Sequence, residues 1–329
     1  MNHYEKNILA FAEQLTPIGL TTHHLEKLAP ARPDGIIIYG MGGSGLAGEL
    51  IVAAANELKL NIPVRLVKDY GLPVHDFHRP FHIFISFSGN TEETLSGLKH
   101  LPKNAARAVV TTGGKLLDIA RREKLPAVTF EAGLLTPRQS VGRMFYALIE
   151  LLHAARLVPR TAAYPHLKPR AFAAASRRLA SQLKDRLIFI YTDNAHRPLG
   201  YIWKIKFNET SKVQASNNVL PEMDHNELTA FDRPPKAPRV PAAALFLSDH
   251  SLSPRLKKKF AITARLMKQR GVRVIELPLV GRSFLEQAWR TLLLADWTSY
   301  YLGKLYGIPE GEFNIVNPKI VIDLKRLMG

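Results

Sequence analysis

The sequence predicts an α/β protein built from two units, in each of which a parallel sheet is flanked by helices. Short apolar runs rich in β-branched residues alternate with helix-length segments, which is the pattern of parallel strands joined by helical crossovers. The same alternation occurs in both halves of the chain. The length of 329 residues also fits two domains of ordinary size.

The first half contains a helical opening and a series of buried strands. The run Gly35-Ile-Ile-Ile-Tyr-Gly40 is apolar and bounded by glycine, as is typical of a strand buried on both faces. Similar runs occur at residues 64–67, 82–87, 108–112 and 127–130, and helices are predicted at residues 45–58, 91–101 and 115–122. Apolar residues at helical spacing between 137 and 157 complete the unit.

The second half repeats this scheme after a linker. A proline-rich and basic stretch at residues 158–170 is interpreted as the linker, so the predicted domains are residues 1–157 and 158–329. The prolines between 233 and 241 predict a rigid extended connection within the second domain. This domain is predicted to contain a helix at residues 171–183 and strands at residues 187–192, 242–248 and 273–277.

Composition narrows the classes of function. Hydrophobic residues make up 46% and charged residues 22% of the chain, which is typical of a globular protein. Lys and Arg number 45 and Asp and Glu 28, so the net charge of +17 favours phosphorylated small molecules or polyanions as ligands. Nucleic acid is therefore an alternative, although the run Lys257-Lys-Lys259 is more simply a solvated helix face. The chain contains no cysteine, which excludes disulfides, a thiolate nucleophile and Cys-ligated metals.

The sequence shows neither a secretory signal nor a membrane span. Residues 1–15 carry charges within their apolar stretch and have no small-residue cleavage site. The most apolar later segment, residues 284–303, is interrupted by Glu286, Arg290 and Asp296, so it is interpreted as a buried helix. We therefore expect a cytoplasmic protein.

A glycine-rich turn follows the first buried strand. The segment Tyr39-Gly-Met-Gly-Gly-Ser-Gly45 lies where that strand ends and a helix begins, and such a turn binds anions through backbone N–H groups and the helix dipole. The spacing is not that of a P-loop NTPase, but Gly40-x-Gly42-x-x-Gly45 fits a dinucleotide fingerprint. A tight turn that merely requires glycine is the other alternative.

A second turn of the same kind favours a phosphate ligand. The segment Ile85-Ser-Phe-Ser-Gly-Asn-Thr-Glu-Glu-Thr94 again joins an apolar strand to a helix. Small hydroxyl groups can donate to phosphate oxygens, and Thr91 or Asn90 can alternatively cap the helix. Both turns are expected at the carboxyl edge of one sheet, where open α/β sheets bind ligands. The predicted phosphate-binding residues are Gly42, Gly43, Ser44, Ser86, Ser88 and Thr91.

The two turns together resemble the sugar isomerase (SIS) domain, a five-stranded parallel sheet flanked by helices that binds phosphosugars. Further stretches are similar to the bifunctional phosphoglucose/phosphomannose isomerases, in the same order and over essentially the whole chain: Val67-Lys-Asp-Tyr-Gly-Leu-Pro73, Thr112-Gly-Gly-Lys-Leu116, Gly133-Leu-Leu-Thr-Pro-Arg138, Asn208-Glu-Thr-Ser-Lys212 and Pro221-Glu-Met-Asp-His-Asn-Glu-Leu228. The resemblance implies two SIS-type units that interconvert glucose 6-phosphate, and mannose 6-phosphate, with fructose 6-phosphate.

The resemblance also implies the catalytic residues. Glu209 matches the base that moves a proton between C2 and C1 of the sugar through an enediolate. On spacing alone, an ion pair on a helix surface with Lys206 and Lys212 is favoured for this residue.

Three further residues match the family's catalytic machinery. His225, one of 12 histidines, matches the residue that opens the sugar ring, and Lys325 resembles the C-terminal lysine that assists this step. A cation at the end of a helix is the simpler interpretation of Lys325. Arg138 matches the arginine that stabilises the negative enediolate.

The remaining expectations concern cofactors and partners. The resemblance implies no cofactor and no metal, and a homodimer in which the histidine reaches the neighbouring subunit's active site. We expect no nucleic-acid or membrane partner. Trp289 and Trp297 lie in the apolar helix predicted near the C-terminus, in the core by default or in an interface. Residues 316–321 contain no Thr or Ser of the kind that helps some members accept mannose 6-phosphate. A non-catalytic SIS module that senses a phosphosugar is the alternative function.

Overall fold

The computed structural model describes residues 2–28, 32–159, 167–232, 234, 240–316 and 318–328. The chain divides into two units, Met1–Tyr164 with Pro309–Gly329, and Pro165–Ile308. The predicted domains, 1–157 and 158–329, differ from this division in the C-terminal segment, which packs with the first unit. Much of the predicted linker (160–166) and most of the proline-rich connection (233 and 235–239) lie outside the described residues.

The first unit contains a six-stranded sheet. Its strands are β1 Leu20–His23, β2 Gly35–Tyr39, β3 Val64–Val67, β4 Pro80–Ser86, β5 Arg107–Thr111 and β6 Ala127–Phe130, in the order β1-β6-β5-β4-β2-β3. The five predicted strands are confirmed and pair in parallel. Strand β1 pairs with β6 in the antiparallel sense and was not predicted, because its four residues are polar at the centre and half exposed. The predicted parallel sheet is therefore confirmed, and β1 adds one antiparallel strand at its edge.

Helices pack around this sheet because its strands are apolar on both faces. Every residue of β2 is buried, as expected for a parallel strand covered on both sides. The helices of this part of the chain are α1 His3–Leu9, α2 Gly42–Ala53, α3 Glu92–His100, α4 Gly114–Arg122 and α5 Val141–Ala154. Each of the α-helices α2 to α4 follows a strand directly, so its N-terminus lies at the carboxyl edge of the sheet.

The second unit contains a parallel four-stranded sheet. Its strands are β7 Leu187–Asp193, β8 Ala215–Leu220, β9 Ala242–Ser248 and β10 Arg273–Pro278, in the order β10-β9-β7-β8. Strand β8 lies at an edge and was not predicted, because Asn and Ser interrupt its apolar pattern. The helices are α6 Ala173–Leu183, α7 Arg197–Lys206, α8 Pro254–Gln269 and α9 Phe284–Leu305.

Helix α9 has 22 residues, most of which are buried. Trp289 is fully buried, and Trp297 is 1% exposed and donates through its indole N–H to the carbonyl of Pro169 at 2.9 Å. Both tryptophans therefore belong to the core. Among the described residues, no helix combines the length and the apolar character that crossing a membrane requires.

The chain ends in a short strap and a final helix. The 3₁₀ turn Glu310–Asn314 buries Phe313, whose ring lies 5.7 Å from that of Tyr4. Helix α10, Lys319–Met328, follows and has no buried residue. The contact between Phe313 and Tyr4 lies within the first unit, to which residues 309–329 belong. The alternation of strands and helices in the sequence does not predict which unit a terminal segment joins.

Candidate active site

The first predicted turn joins β2 to α2 and holds backbone segments in close contact. A Cβ atom at Gly43 would lie 2.6 Å from the carbonyl carbon and oxygen of Pro137. A Cβ atom at Gly45 would lie 2.6 Å from the carbonyl oxygen of Gly40. No side chain caps α2 at Met41, so the first N–H groups of the helix lack the partner that a capping Ser or Asp would provide.

The second turn, between β4 and α3, is tied to the first by hydroxyl groups. The backbone N–H of Phe87 donates to Ser44 Oγ at 2.9 Å. Ser86 Oγ accepts the N–H of Gly89 at 3.1 Å and shares a hydrogen bond with Thr91 Oγ1 at 2.8 Å. Thr91 is the N-cap residue of α3, but its side chain makes no capping bond. The capping alternative for Thr91 is therefore wrong, because its hydroxyl pairs with Ser86 instead.

A third turn, after β5, interlocks with the second and was not among the predicted binding residues. Gly89 adopts a φ of +67°, and a Cβ atom there would lie 1.7 Å from the carbonyl oxygen of Gly113. Thr112 Oγ1 donates to the carbonyl of Phe87 at 2.7 Å. The motif Thr112-Gly-Gly-Lys-Leu116, another glycine pair between a strand and a helix, was the signal for this turn in the sequence.

The three turns form an edge that is rich in hydrogen-bond donors. Helices α2, α3 and α4 all begin here without a side-chain cap. The oxygens of Ser44 and Ser88 accept the backbone N–H groups of Phe87 and Asn90, at 2.9 and 3.2 Å, so the hydroxyl hydrogens remain to donate elsewhere. Uncapped helix N-termini and small hydroxyls suit a phosphate group.

We expect Gly43→Ala to weaken the binding of a sugar phosphate about 10–100-fold, because the new Cβ must displace the Pro137 backbone at a cost of about 1–3 kcal/mol. Calorimetric titration with fructose 6-phosphate measures this. Gly311→Ala is the matched control, since a Cβ atom at Gly311 would meet nothing within 4 Å. Equal affinities of the two variants would contradict the assignment of this turn.

Arg138 lies beside the first turn. It is 1% exposed, and it follows Pro137, whose backbone contacts Gly43. Its Nη2 donates to the carbonyl of Phe313 at 2.5 Å and its Nη1 to that of Ile315 at 3.4 Å. The structure thus brings Arg138 together with the predicted phosphate-binding residues.

Lys325 lies in the last turn of α10 and is exposed. The segment that carries it packs with the first unit rather than with the unit that contains Glu209 and His225. The prediction grouped these three residues in one domain, whereas Lys325 belongs to the other compact unit.

Glu209 lies in a π-helical turn, Phe207–Ser211, that continues α7. The side chain of Lys212 donates to the carbonyl of Glu209 at 2.7 Å. Lys206 is fully buried and pairs with Asp296 at 2.5 Å. The structure therefore places Lys206 in the core rather than on a helix surface. Single π-helical turns within helices are frequent at functional sites.

His225 is exposed and ends the 3₁₀ turn Glu222–His225. Two neighbouring residues of this turn attach it to the rest of the unit. Met223 is fully buried. The carboxylate of Asp224 accepts from Lys259 at 2.9 Å and from Thr263 at 2.8 Å. The imidazole is therefore presented to solvent on a fixed backbone.

Glu209 and His225 lie at opposite ends of strand β8. The turn of Glu209 is fastened to the start of the strand, where the N–H of Ala215 donates to Asn208 at 2.8 Å. His225 follows the strand's last residue, Leu220. A strand of six residues spans roughly 16 Å, so one unit does not bring these two side chains together.

The carboxyl edge of the second sheet carries a buried charged network instead of glycine turns. Asp193 Oδ2 lies 2.6 Å from Nδ1 of His196. The amide nitrogen of Gln287 donates to Asp249 at 3.1 Å. The amide oxygen of Gln287 then faces Nε2 of His196 at 3.1 Å. Both ring nitrogens of His196 face acceptors, an arrangement that favours the doubly protonated imidazole. Sequence reasoning did not find this network, because Asp249 and Gln287 lie far along the chain from Asp193 and His196.

The pH dependence of stability should report His196. Burial opposes its charge, but the hydrogen bond and charge of Asp193, with Asp249 and Gln287, outweigh burial and raise the pKa of His196. The stabilisation is therefore fully present below the unfolded pKa of about 6.5 and is lost as pH rises through the folded pKa. We expect the destabilisation by His196→Gln, measured by urea unfolding, to be larger at pH 6 than at pH 9. A pH-independent difference would contradict the double protonation.

Comparisons with known proteins agree with this architecture. Residues 172–318 match the model of the bacterial phospho-glucose isomerase C-terminal SIS domain. The bifunctional phosphoglucose/phosphomannose isomerase of Aquifex aeolicus is 31% identical over 277 residues, covering 83% of this chain and 85% of that protein. The protein of the same name from Thermoplasma volcanium is 27% identical over 312 residues, covering 94% of this chain and 97% of that protein.

A solved structure shows the same fold. The tagatose-6-phosphate ketose/aldose isomerase of Escherichia coli superposes with a TM-score of 0.62 at 16% identity and covers 96% of both chains. At this identity, the match concerns the fold alone, and it agrees with two SIS-type units. With the glycine and serine turns at the edge of the first sheet and a relative 31% identical over most of its length, the chain belongs to the bifunctional phosphoglucose/phosphomannose isomerase family.

Proposed function

We propose that this protein interconverts glucose 6-phosphate, and also mannose 6-phosphate, with fructose 6-phosphate by a metal-independent enediolate mechanism. The observation that carries the proposal is the donor-rich edge formed by three interlocked turns, at which α2, α3 and α4 begin without side-chain caps. This edge suits the phosphate that the three sugars share, and Arg138 contacts it.

The proposed roles follow from the chemistry of the reaction. The carboxylate of Glu209 removes the proton at C2 of the open aldose, and the C2–H electrons form the C1–C2 double bond of the enediolate. A proton passes from O2 to O1, Glu209 returns its proton to C1, and the carbonyl forms at C2. The guanidinium of Arg138 stabilises the enediolate charge. His225 and Lys325 act earlier, when the sugar ring opens.

The positions of Glu209 and His225 support a shared active site. Within one unit, these residues lie at opposite ends of β8, whereas both are needed by one substrate. We propose that the protein is a homodimer in which each active site takes its histidine from the neighbouring subunit.

Subunit mixing tests the shared site. Copies with Glu209→Gln and copies with His225→Ala are each expected to show little activity on glucose 6-phosphate. A mixed dimer has one site with both substitutions and one with neither, so we expect activity to return. If mixing restores nothing while dimers form, both residues act from the same subunit and the proposal is wrong.

A coupled assay that offers glucose 6-phosphate and mannose 6-phosphate separately tests the reaction itself. We expect fructose 6-phosphate to form from both. Binding of all three sugar phosphates without turnover would identify a phosphosugar sensor instead. If only glucose 6-phosphate is converted, the proposed activity on mannose 6-phosphate is wrong. Residues 316–321 lack the Thr or Ser that helps some members accept this substrate.

A further inference from the structure

The C-terminal strap, residues 309–316, reaches Arg138 with its backbone. Phe313 is 1% exposed, and its carbonyl accepts from Nη2 of Arg138 at 2.5 Å. The carbonyl of Ile315 accepts from Nη1 at 3.4 Å. Two carbonyls on one short segment therefore hold the two terminal nitrogens of a single guanidinium, which fixes the plane of the group.

Tyr4 completes a cluster around this guanidinium. The ring of Tyr4 is fully buried and lies 5.7 Å from that of Phe313. The guanidinium carbon of Arg138 lies 5.9 Å from the centre of the Tyr4 ring, within the range of a cation–π contact. The Phe313 ring thus anchors the strap to the first unit, and the strap's carbonyls then hold Arg138.

The first turn lies on the other side of Arg138. A Cβ atom at Gly43 would lie 2.8 Å from the backbone nitrogen of Arg138, so the backbone of Arg138 touches the turn while its side chain is held by the strap. Movement of the strap would therefore move the guanidinium relative to the proposed phosphate site. Such movement matters because a misplaced charge stabilises the transition state poorly.

We propose that Phe313 is a positioning residue of the isomerase: it anchors the C-terminal strap, and the strap carbonyls at 313 and 315 orient the guanidinium of Arg138. This proposal rests on the proposed function, in which Arg138 stabilises the enediolate. Phe313 itself touches no reacting atom.

Kinetics of Phe313→Ala in the full chain test the proposal. We expect kcat for the glucose 6-phosphate to fructose 6-phosphate reaction to fall about 10–100-fold, less than the 10²–10³-fold loss typical of removing a donor to an oxyanion. We expect KM to change less than about threefold, because the turns that would bind phosphate stay intact. An unchanged kcat would overturn the proposal.

A double-mutant cycle separates positioning from general destabilisation. If Phe313 acts through Arg138, the double variant Phe313→Ala/Arg138→Ala should be no slower than Arg138→Ala alone. If the fold-losses in kcat of the two single variants multiply in the double variant, the proposal is overturned. Phe81→Ala is the matched control, because Phe81 is fully buried near the amino end of β4, at the opposite edge of the sheet. We expect it to leave kcat unchanged at temperatures where it is folded.

Two further measurements cover the remaining outcomes. If the alanine variants fail to fold, the leucine variants of Phe313 and Phe81 replace them, and only Phe313→Leu should lower kcat. If the wild-type chain shows no isomerase activity, the proposed function fails, but the positioning remains measurable by NMR. The Arg138 guanidinium N–H signals, assigned by their absence in Arg138→Lys, should exchange slowly in wild type and fast in Phe313→Ala. Equal exchange rates would overturn the proposal.

Discussion

Replacing Glu209 by glutamine is expected to lower kcat for isomerisation by about 10²–10⁴-fold, the range that general base catalysis contributes. Glutamine keeps the shape of the side chain but does not remove a proton from C2. The turns proposed to bind phosphate belong to the first unit and are unaffected, so affinity for fructose 6-phosphate should persist.

Exchange of the C2 proton with solvent is the most direct measurement. Wild type should incorporate deuterium from D₂O into the sugar, and Glu209→Gln should not. Glu276→Gln is a suitable control, because Glu276 lies on β10 and forms an exposed pair with Lys268. If Glu209→Gln keeps full turnover and exchange, Glu209 is not the base.

The π-helical turn is the feature that connects this prediction to the structure. Lys212 adopts a φ of +55° at the end of this turn and donates to the carbonyl of Glu209. Asn208 fastens the turn to β8 by accepting the N–H of Ala215. The backbone on both sides of Glu209 is therefore fixed, which is what a base that serves two neighbouring carbon atoms requires.

Much of this fold could be predicted because buried parallel strands read as short apolar runs. The strands at 64–67 and 127–130 were predicted with the bounds that the structure shows. Strands β1 and β8 could not be found in this way, since each lies at a sheet edge and is partly exposed. An edge strand needs apolar residues only where it faces the core, so its pattern is weak.

The sequence indicated contacts within one turn and between turns at one sheet edge, but not contacts with segments outside that pattern. Ser86 and Thr91 are five residues apart and form a hydrogen bond at 2.8 Å. The contact between Arg138 and the carbonyl of Phe313 joins residues 175 positions apart, and nothing in either local sequence indicates the other. The contact of His196 with Gln287, 91 positions away, was missed for the same reason.

Lys206→Met is expected to lower the free energy of unfolding by about 3–5 kcal/mol. Lys206 is fully buried at the end of α7, and its Nζ lies 2.5 Å from the carboxylate of Asp296, whose side chain is 4% exposed. Methionine fills a similar volume but leaves the buried Asp296 carboxylate without the ammonium of Lys206. The loss should be visible as a lower urea midpoint with an unchanged slope.

The ion pair of Lys268 and Glu276 gives the matched control, because these side chains are 52% and 59% exposed. The Nζ of Lys268 lies 2.9 Å from the carboxylate of Glu276. Lys268→Met should cost less than about 1 kcal/mol, because water screens an exposed ion pair and solvates the carboxylate that remains. The double variant Lys206→Met/Asp296→Leu should be more stable than Lys206→Met alone, since it also removes the buried carboxylate that lost the Lys206 ammonium. If Lys206→Met is no less stable than Lys268→Met, the buried pair does not hold α7 to α9, and the turn that carries Glu209 must be fixed by other contacts.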